Sequence, residues 1–412
     1  MKKTLMTILV SGLMLASCSK QEVSDNPLLQ KWDTPFETAP FEKIKVEHYL
    51  PAFEAAIAEH NKEIQAIIDN AEAPTFDNTI AALDYSGETL SKVAGVFFNM
   101  MAANTSEELQ KVNEQVGPMM ATHSDNVSMN AKLFEKIKAV YDAKDSQKYT
   151  GEQLALLEKT YNKFVRSGAL LDAAKQEELR KVNAELTKVE SKFDANLLKE
   201  SKAYQLVIDK EENLKGLPQG EIEKAAALAK QEGKEGKWIF TLDNPSFMPF
   251  VTYADNRDLR KEIFNARVNR CNNGGETDNN ALVAQMSELR AKKAQLLGYE
   301  TFAHYQLEER MAKEPKAVFD LLENLLSYSV KVAKEEAAQF QAMLSKDVPG
   351  AKLEAWDMYY YAEKVRQQKY NFDAELTRPY FEINKVRQGC FDVLTKLYGI
   401  SFTERKDISV YA

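Results

Sequence analysis

The sequence predicts a mostly α protein with a small β insert. Gly and Pro number only 16 and 12 among 412 residues, too few for a fold built on many tight turns. Apolar residues recur at intervals of three and four from about residue 47 onward, which is the period of an amphipathic helix. The length allows two or three domains. We therefore expect helices throughout, with one local exception.

The first helices are defined by one apolar face and by two candidate caps. Five residues with helical spacing form the face: Tyr49, Phe53, Ile57, Ile64 and Ile67. A break follows at residues 73–75, and Asp77 is expected to cap the next helix, which carries apolar residues through Phe97. Thr105, with Glu108 three residues later, has the spacing of a capping box for the helix after that.

The longest helical pattern runs from Leu171 to Lys202. Its apolar seam alternates spacings of three and four through Leu179, Val182, Leu186, Val189 and Phe193. Such a seam fits either a coiled-coil dimer or a long helix packed within its own domain, and we favour the second interpretation.

The β insert and a domain boundary are expected beyond that helix. Residues 204–208 and 238–242 are rich in β-branched and aromatic side chains and are bounded by turn residues, so they predict two short paired strands. We place a boundary near residue 235, between an N-terminal helical domain at 36–235 and a second domain at 236–412. Within the second, a helix from Asp278 to Leu297 should end at Gly298.

The N-terminus resembles an export signal for a lipoprotein. Lys2 and Lys3 precede an apolar run from Leu5 to Leu15, which is shorter than the ~20 residues of a membrane-spanning helix. The run ends in residues 15–18, which resemble a bacterial lipobox ending in Cys18. We expect a signal peptide at 1–18, acylation of Cys18, a tether at 19–35 and attachment to a membrane of the cell envelope. The alternative is a plain secretory signal.

Charge and cysteine usage exclude other classes. The 54 Lys and Arg residues against 62 Asp and Glu residues give a net charge of -8, which disfavours nucleic acid as a partner. Cys271 and Cys390 are far apart and neither belongs to a CxxC pair, which excludes a cysteine-rich zinc site. Two buried free thiols are the expected state, and a disulfide is the alternative.

Composition and spacing alone reveal no catalytic motif in the sequence. The four histidines are His48, His60, His123 and His304, and none of them begins an H-E-x-x-H motif. The first two are twelve residues apart, about 18 Å along a helix, so they cannot share a metal from one helix. Each histidine is interpreted as a surface or packing residue. Nucleophile elbows and phosphate loops are also missing from the sequence.

Nine segments occur along the chain in a distinctive order: Pro40–Ile44, His48–Ala52, Ala73–Ile80, Phe250–Arg257, Ala294–Tyr299, Met311–Ala312, Trp356–Asp357, Arg378–Phe381 and Leu397–Ile400. This ordered series resembles the thimet oligopeptidase family, in its bacterial peptidyl-dipeptidase and oligopeptidase branch. The similarity covers nearly all of residues 35–412, and the segment beginning at Phe250 resembles the start of the family's peptidase region.

The resemblance implies a two-lobed helical fold with a deep channel, and a zinc peptidase that cleaves short peptides and, in one branch, releases C-terminal dipeptides. In that family an H-E-x-x-H helix and a downstream glutamate bind the zinc ion. We expect the chain to be an N-terminal portion that stops before this motif and is inactive alone, so no catalytic or metal residue is assigned. The alternative function is a non-catalytic helical lipoprotein that binds peptides or a protein partner.

Overall fold

A computed structural model describes residues 25–372 and 374–411, and in these residues the chain is mostly helical. The signal peptide, Cys18 and the first part of the tether lie outside the described residues. The helices are α1 (Tyr49–Asp69), α2 (Ala82–Tyr85), α3 (Glu88–Ala103), α4 (Glu107–Ser128), α5 (Ala131–Asp142), α6 (Gly151–Arg166), α7 (Ala173–Ala203), α8 (Gln219–Gln231), α9 (Asn244–Tyr253), α10 (Arg257–Val268), α11 (Asn280–Leu296), α12 (Phe302–Leu307), α13 (Pro315–Asp347), α14 (Met358–Tyr370) and α15 (Ile383–Tyr398). The predicted fold class is confirmed.

The chain divides into two compact units. The first contains the described residues up to Ser191, together with Glu288–Phe302 and the residues from Glu404 onward. The second contains Lys192–Ser287 and Ala303–Thr403. The domain boundary near residue 235 stays a prediction, because these units are defined by contacts and the first takes segments from both sides of that position.

The first unit is built on helices α1 to α6 and the first part of α7. Four residues of the predicted face of α1 are buried and Ile57 is partly buried. Phe97 of α3 packs edge-on against Tyr49 and Phe53, with ring centroids 5.1 and 5.4 Å apart. On α7, Leu179 and Val189 of the long seam are buried within this single chain. This burial favours packing inside the chain over a coiled-coil dimer. Packing of α7 within one domain stays a prediction, because the division into two units falls after Ser191, inside this helix.

The second unit contains the β insert. Strands β1 (Leu206–Ile208) and β2 (Trp238–Phe240) pair antiparallel, with Val207 opposite Ile239. Both predicted strands are confirmed, although each is shorter than expected. The turn after β1 requires glycine, because Gly216 has φ +90° and a Cβ there would lie 2.2 Å from the carbonyl oxygen of Tyr253.

Three local predictions were wrong. The cap at the break after α1 is Thr75, whose backbone is extended and whose hydroxyl accepts a hydrogen bond from Asn78 N at 3.1 Å, while Asp77 lies inside the first turn. The cap of α4 is Ser106, one residue after Thr105, for the same reason. The expected single helix through Phe97 is also interrupted, because Gly87 has φ +75° before α3 begins.

The two cysteines are both free, but only one of them is buried. Cys271 is buried, whereas Cys390 is exposed on α15. The expectation of two free thiols is confirmed, and the expectation that both are buried is wrong for Cys390.

The predicted end of α11 at Gly298 is confirmed. The helix ends at Leu296, and Gly298 adopts φ +85° just after it.

Candidate functional site

The one site residue assigned from the sequence, Cys18, lies outside the described residues, so its acylation stays a prediction. Across residues 25–372 and 374–411, no helix has the length and apolarity needed to cross a membrane.

The structure brings together two of the four histidines. His60 Nδ1 of α1 lies 2.8 Å from His123 Nε2 of α4, although the two residues are 63 positions apart. The rings meet edge to face, with centroids 4.9 Å apart. His48 instead accepts a hydrogen bond from Lys45 N at 3.0 Å, and His304 lies on α12 in the other unit. The interpretation of the histidines as packing residues holds for the pair, but its mutual hydrogen bond was not foreseen.

The turn before α3 completes the environment of the histidine pair. His60 Nε2 lies 3.1 Å from the hydroxyl of Ser86. The next residue, Gly87, lies against the same ring, because a Cβ on it would be 3.1 Å from the imidazole. Glu63, one turn along α1 from His60, accepts a hydrogen bond from Gly87 N at 2.7 Å. His60 thus contacts both α4 and the turn that leads into α3, and Glu63 contacts that turn as well.

Burial lowers the pKa of both histidines. For His60 the nearby Glu63 carboxylate opposes this effect and the Lys163 ammonium of α6 adds to it. For His123, which is 6% exposed, the second contribution is the neighbouring His60. The neutral forms of both rings are therefore favoured at neutral pH.

A cavity of about 340 Å³ lies beside the pair, between α1 and α4. It is lined by Ile57, Asn61, Pro118, Met119, Thr122, His123 and Asn126. Its wall combines apolar side chains with two amides, a hydroxyl and one imidazole. The cavity is large enough for several water molecules with polar partners.

The described residues do not fit the zinc site that the resemblance implies. No group of three or more His, Cys, Asp or Glu side chains within residues 25–372 and 374–411 could hold a metal ion. In the histidine pair the two nitrogens are hydrogen-bonded to each other rather than directed at a shared ion, and zinc needs three or four ligands about 2 Å away. No metal-dependent step is therefore assigned to these side chains.

A buried ion-pair network lies in the second unit. Asp357, which is fully buried, receives hydrogen bonds from Arg257 Nη2 at 2.7 Å and from Arg260 Nη2 at 3.2 Å. The Arg260 guanidinium is 1% exposed and lies 3.8 Å from the ring centroid of Tyr360, whose hydroxyl donates to Asp255 at 2.8 Å. These contacts fix α14 and the turn before it on α10.

Burial alone raises the pKa of Asp357, but the hydrogen bonds from Arg257, Glu354 N and Arg260 outweigh it and hold the pKa below its usual range. The carboxylate is therefore ionised, and its charge is balanced by two guanidinium groups. The network is a structural link, because its charged groups are directed at one another.

The first part of α13 exposes an unusual amount of apolar surface. Phe319, Leu322, Leu326 and Val330 have the spacing of one helix face, and they are 61%, 53%, 58% and 40% exposed. We call these four residues the apolar stripe. Near the other end of the same helix, Phe340 and Leu344 are buried against Tyr360 and Tyr361 of α14. Only the later part of α13 is thus covered by the described residues.

Residues 250–412 match the model of peptidase family M3, and the match begins at the Phe250 segment. The chain is 34% identical to the dipeptidyl carboxypeptidase of Escherichia coli (strain K12) over 387 residues, which are 94% of this chain and 57% of that protein. It is 35% identical to the dipeptidyl carboxypeptidase of Salmonella typhimurium over 390 residues, with the same two shares.

The oligopeptidase A of Escherichia coli (strain K12) is 31% identical over 393 residues, again 94% of this chain and 57% of the relative. The chain thus spans just over half the length of these curated relatives. The similarity over nearly the whole of this mostly helical chain defines its class as a homologue of the dipeptidyl carboxypeptidases and oligopeptidases A. Residues 250–412 carry the match to peptidase family M3, and the dipeptidyl carboxypeptidases and oligopeptidases A extend the similarity over 94% of the chain.

Proposed function

We propose that the chain is part of a zinc-dependent peptidase that hydrolyses short peptides and releases dipeptides from their C-termini. The observation that carries the proposal is the similarity to two dipeptidyl carboxypeptidases, at 34% and 35% identity over 94% of the chain. Oligopeptidases A align over the same share at 30% and 31%, which makes dipeptide release the favoured specificity.

The proposed zinc ligands belong to sequence that corresponds to the part of the relatives this chain does not span. Two observations support this assignment. The 412 residues contain no H-E-x-x-H motif, and the chain covers 57% of each dipeptidyl carboxypeptidase. The apolar stripe on α13 further supports additional polypeptide, because apolar helix faces of this kind are normally covered.

A peptidase assay tests the proposal. A blocked tetrapeptide is incubated with zinc and either the 412-residue chain or the full translated reading frame, and the products are identified by mass spectrometry. We expect C-terminal dipeptides only from the full reading frame, with activity lost on chelation and restored by zinc. Zinc-dependent cleavage by the 412-residue chain would contradict the location of the ligands. Cleavage at any bond other than the one that frees the C-terminal dipeptide would contradict dipeptide release.

The second candidate function is a helical lipoprotein that binds peptides or a protein partner without catalysis. The exposed apolar stripe is the observation that favours it. Peptide binding by calorimetry with no hydrolysis in either form of the protein would support this function over the first.

We also propose export and attachment to a membrane of the cell envelope through acylated Cys18. The lipobox-like residues 15–18 support this proposal. Cells grown with labelled palmitate should yield a labelled protein in the membrane fraction. The Cys18→Ala variant should carry no label, and label on that variant would exclude Cys18 as the acylated residue.

A further inference from the structure

The hydrogen bonds of the Ser86 hydroxyl determine which ring nitrogens of His60 and His123 carry a proton. The Ser86 hydroxyl has one proton, which it donates to the Leu83 carbonyl oxygen at 2.7 Å. Toward His60 the same oxygen can therefore only accept, so His60 Nε2 carries a proton. In the neutral ring His60 Nδ1 is then an acceptor, and it receives its hydrogen bond from His123 Nε2–H. His123 Nδ1 is left without a proton.

This arrangement can accept one proton but not two. The first proton adds to His123 Nδ1 and leaves the Nε2–H donor of His123 directed at His60. A second proton must add to His60 Nδ1, where it would confront that N–H group across 2.8 Å. Two N–H donors, each on a positively charged ring, would then face each other where one hydrogen bond had been.

We propose that His60 and His123 form a pH-sensitive latch between α1 and α4. The latch is closed when the pair carries no proton or one proton. The second proton breaks the hydrogen bond and widens the cavity that lies between the same two helices. This inference rests on the first unit alone and is independent of the proposed peptidase function.

The charged groups around the pair set the pH at which the latch opens. Glu63 faces His60 from its own helix and favours protonation, whereas Lys163 of α6 disfavours it. His123 is influenced by burial and by His60 itself. The adjacent cavity, which His123 lines, is large enough to admit water and therefore offers a route for proton exchange.

The sign of the effect follows from the depressed pKa values. Histidines in an opened segment titrate near pH 6.5, and the closed pair titrates below that. As the pH falls through this interval, the open form binds more protons, so opening becomes more favourable by about tenfold per pH unit for each proton taken up. Above about pH 7 the pair makes no pH-dependent contribution, since both forms are neutral.

The first experiment uses the unaltered protein. Imidazole nitrogen shifts measured by NMR from pH 8 to pH 5 should show a proton on Nε2 of both His60 and His123 at pH 8. Amide hydrogen exchange, corrected for the intrinsic pH dependence of exchange, should show that α1 and α4 lose protection together as the second proton binds. A proton on His60 Nδ1 at pH 8 would overturn the tautomer assignment.

Two variants and one control test the role of the pair. Glu63→Gln keeps an oxygen acceptor for Gly87 N but removes the charge that opposes the depression of the His60 pKa, so opening should shift to higher pH. His123→Phe removes one titrating ring and the hydrogen bond of the pair, so it should weaken the pH dependence of protection in α1 and α4 to at most that of the one proton that His60 can bind. His304→Gln, a histidine outside the pair, should leave that dependence unchanged. If the His123→Phe variant does not fold, the titrations of the unaltered protein and of the Glu63→Gln variant still test the proposal.

The proposal fails if His60 and His123 titrate as two independent groups near pH 6.5. It also fails if both become protonated while the protection of α1 and α4 stays constant between pH 8 and pH 5. If the Glu63→Gln variant loses protection of α1 and α4 at the same pH as the unaltered protein, the charge of Glu63 does not control opening.

Discussion

Removing the charge of Asp357 is the most informative test of how the second unit is held together. The Asp357→Asn substitution keeps the shape of the side chain and one oxygen acceptor. It leaves Arg260, 1% exposed, without a counter-charge and weakens the three hydrogen bonds that Arg257 donates. Turning one carboxylate oxygen into an NH₂ group also directs a donor at one of the two guanidinium groups.

The expected loss of stability follows from burial. Breaking one partner of a fully buried ion pair costs about 3–5 kcal/mol, because the remaining charge is neither hydrated nor compensated. Arg257 contributes less than Arg260 to that cost, since its side chain is 28% exposed and can regain water. We therefore expect a decrease of about 3–5 kcal/mol in the free energy of unfolding of the second unit.

Urea unfolding followed by tryptophan fluorescence measures this change, since Trp356 lies beside Arg257 at 6.0 Å from the guanidinium carbon to the ring centroid. The matched control is Asp320→Asn, which removes a carboxylate from an exposed pair with Lys316 in the same unit and should cause no measurable change. A decrease below about 1 kcal/mol for Asp357→Asn would refute the reasoning, because surface pairs already reach that value.

The pH dependence of stability provides a check on the same carboxylate. The pKa of Asp357 is lowered in the folded state, whereas an unfolded aspartate titrates near about 3.9. Its contribution is therefore fully present above that pH and is lost as the pH falls through the lower folded value. The difference in stability between the unaltered protein and the Asp357→Asn variant should shrink below about pH 4.

The remaining predictions concern a turn and the two thiols. Gly216→Ala should destabilise the second unit by about 1–3 kcal/mol more than Gly236→Ala, because both positions have positive φ but only the first places a Cβ against the carbonyl oxygen of Tyr253. Equal thermal shifts for the two variants would contradict this. Cys390 should react with a maleimide in the native protein, whereas Cys271 should react only after unfolding, since burial raises the pKa of its thiol. Mass spectrometry of the labelled peptides separates the two, and native labelling of Cys271 would refute the assignment.

The sequence predicted the elements that depend on local periodicity. The face of α1 from Tyr49 to Ile67 and the seam of α7 were recognisable because each pattern repeats along several turns of one helix. The boundaries were less predictable. At Thr75 and Ser106 the cap is decided by which backbone is extended, and neighbouring residues have equally suitable side chains.

The histidine pair and the ion-pair network could not be predicted because their members come from distant segments. His60 and His123 are 63 residues apart, and Arg257 and Asp357 are 100 residues apart. No local pattern links such positions, and their chemistry depends on burial that only the packed fold defines. A sequence reader could note that two histidines fall on helical segments, but not that one ring donates to the other.

The apolar stripe on α13 shows what periodicity predicts and what it does not. Phe319, Leu322, Leu326 and Val330 follow the same spacing as Phe340 and Leu344, so one rule predicts burial for the whole helix. Only Phe340 and Leu344 are covered by described residues. Periodicity therefore predicts that a helix face needs a partner, but the partner itself must be found elsewhere. Four large apolar side chains that are 40–61% exposed on one face favour a polypeptide surface as that partner, as the proposed peptidase requires.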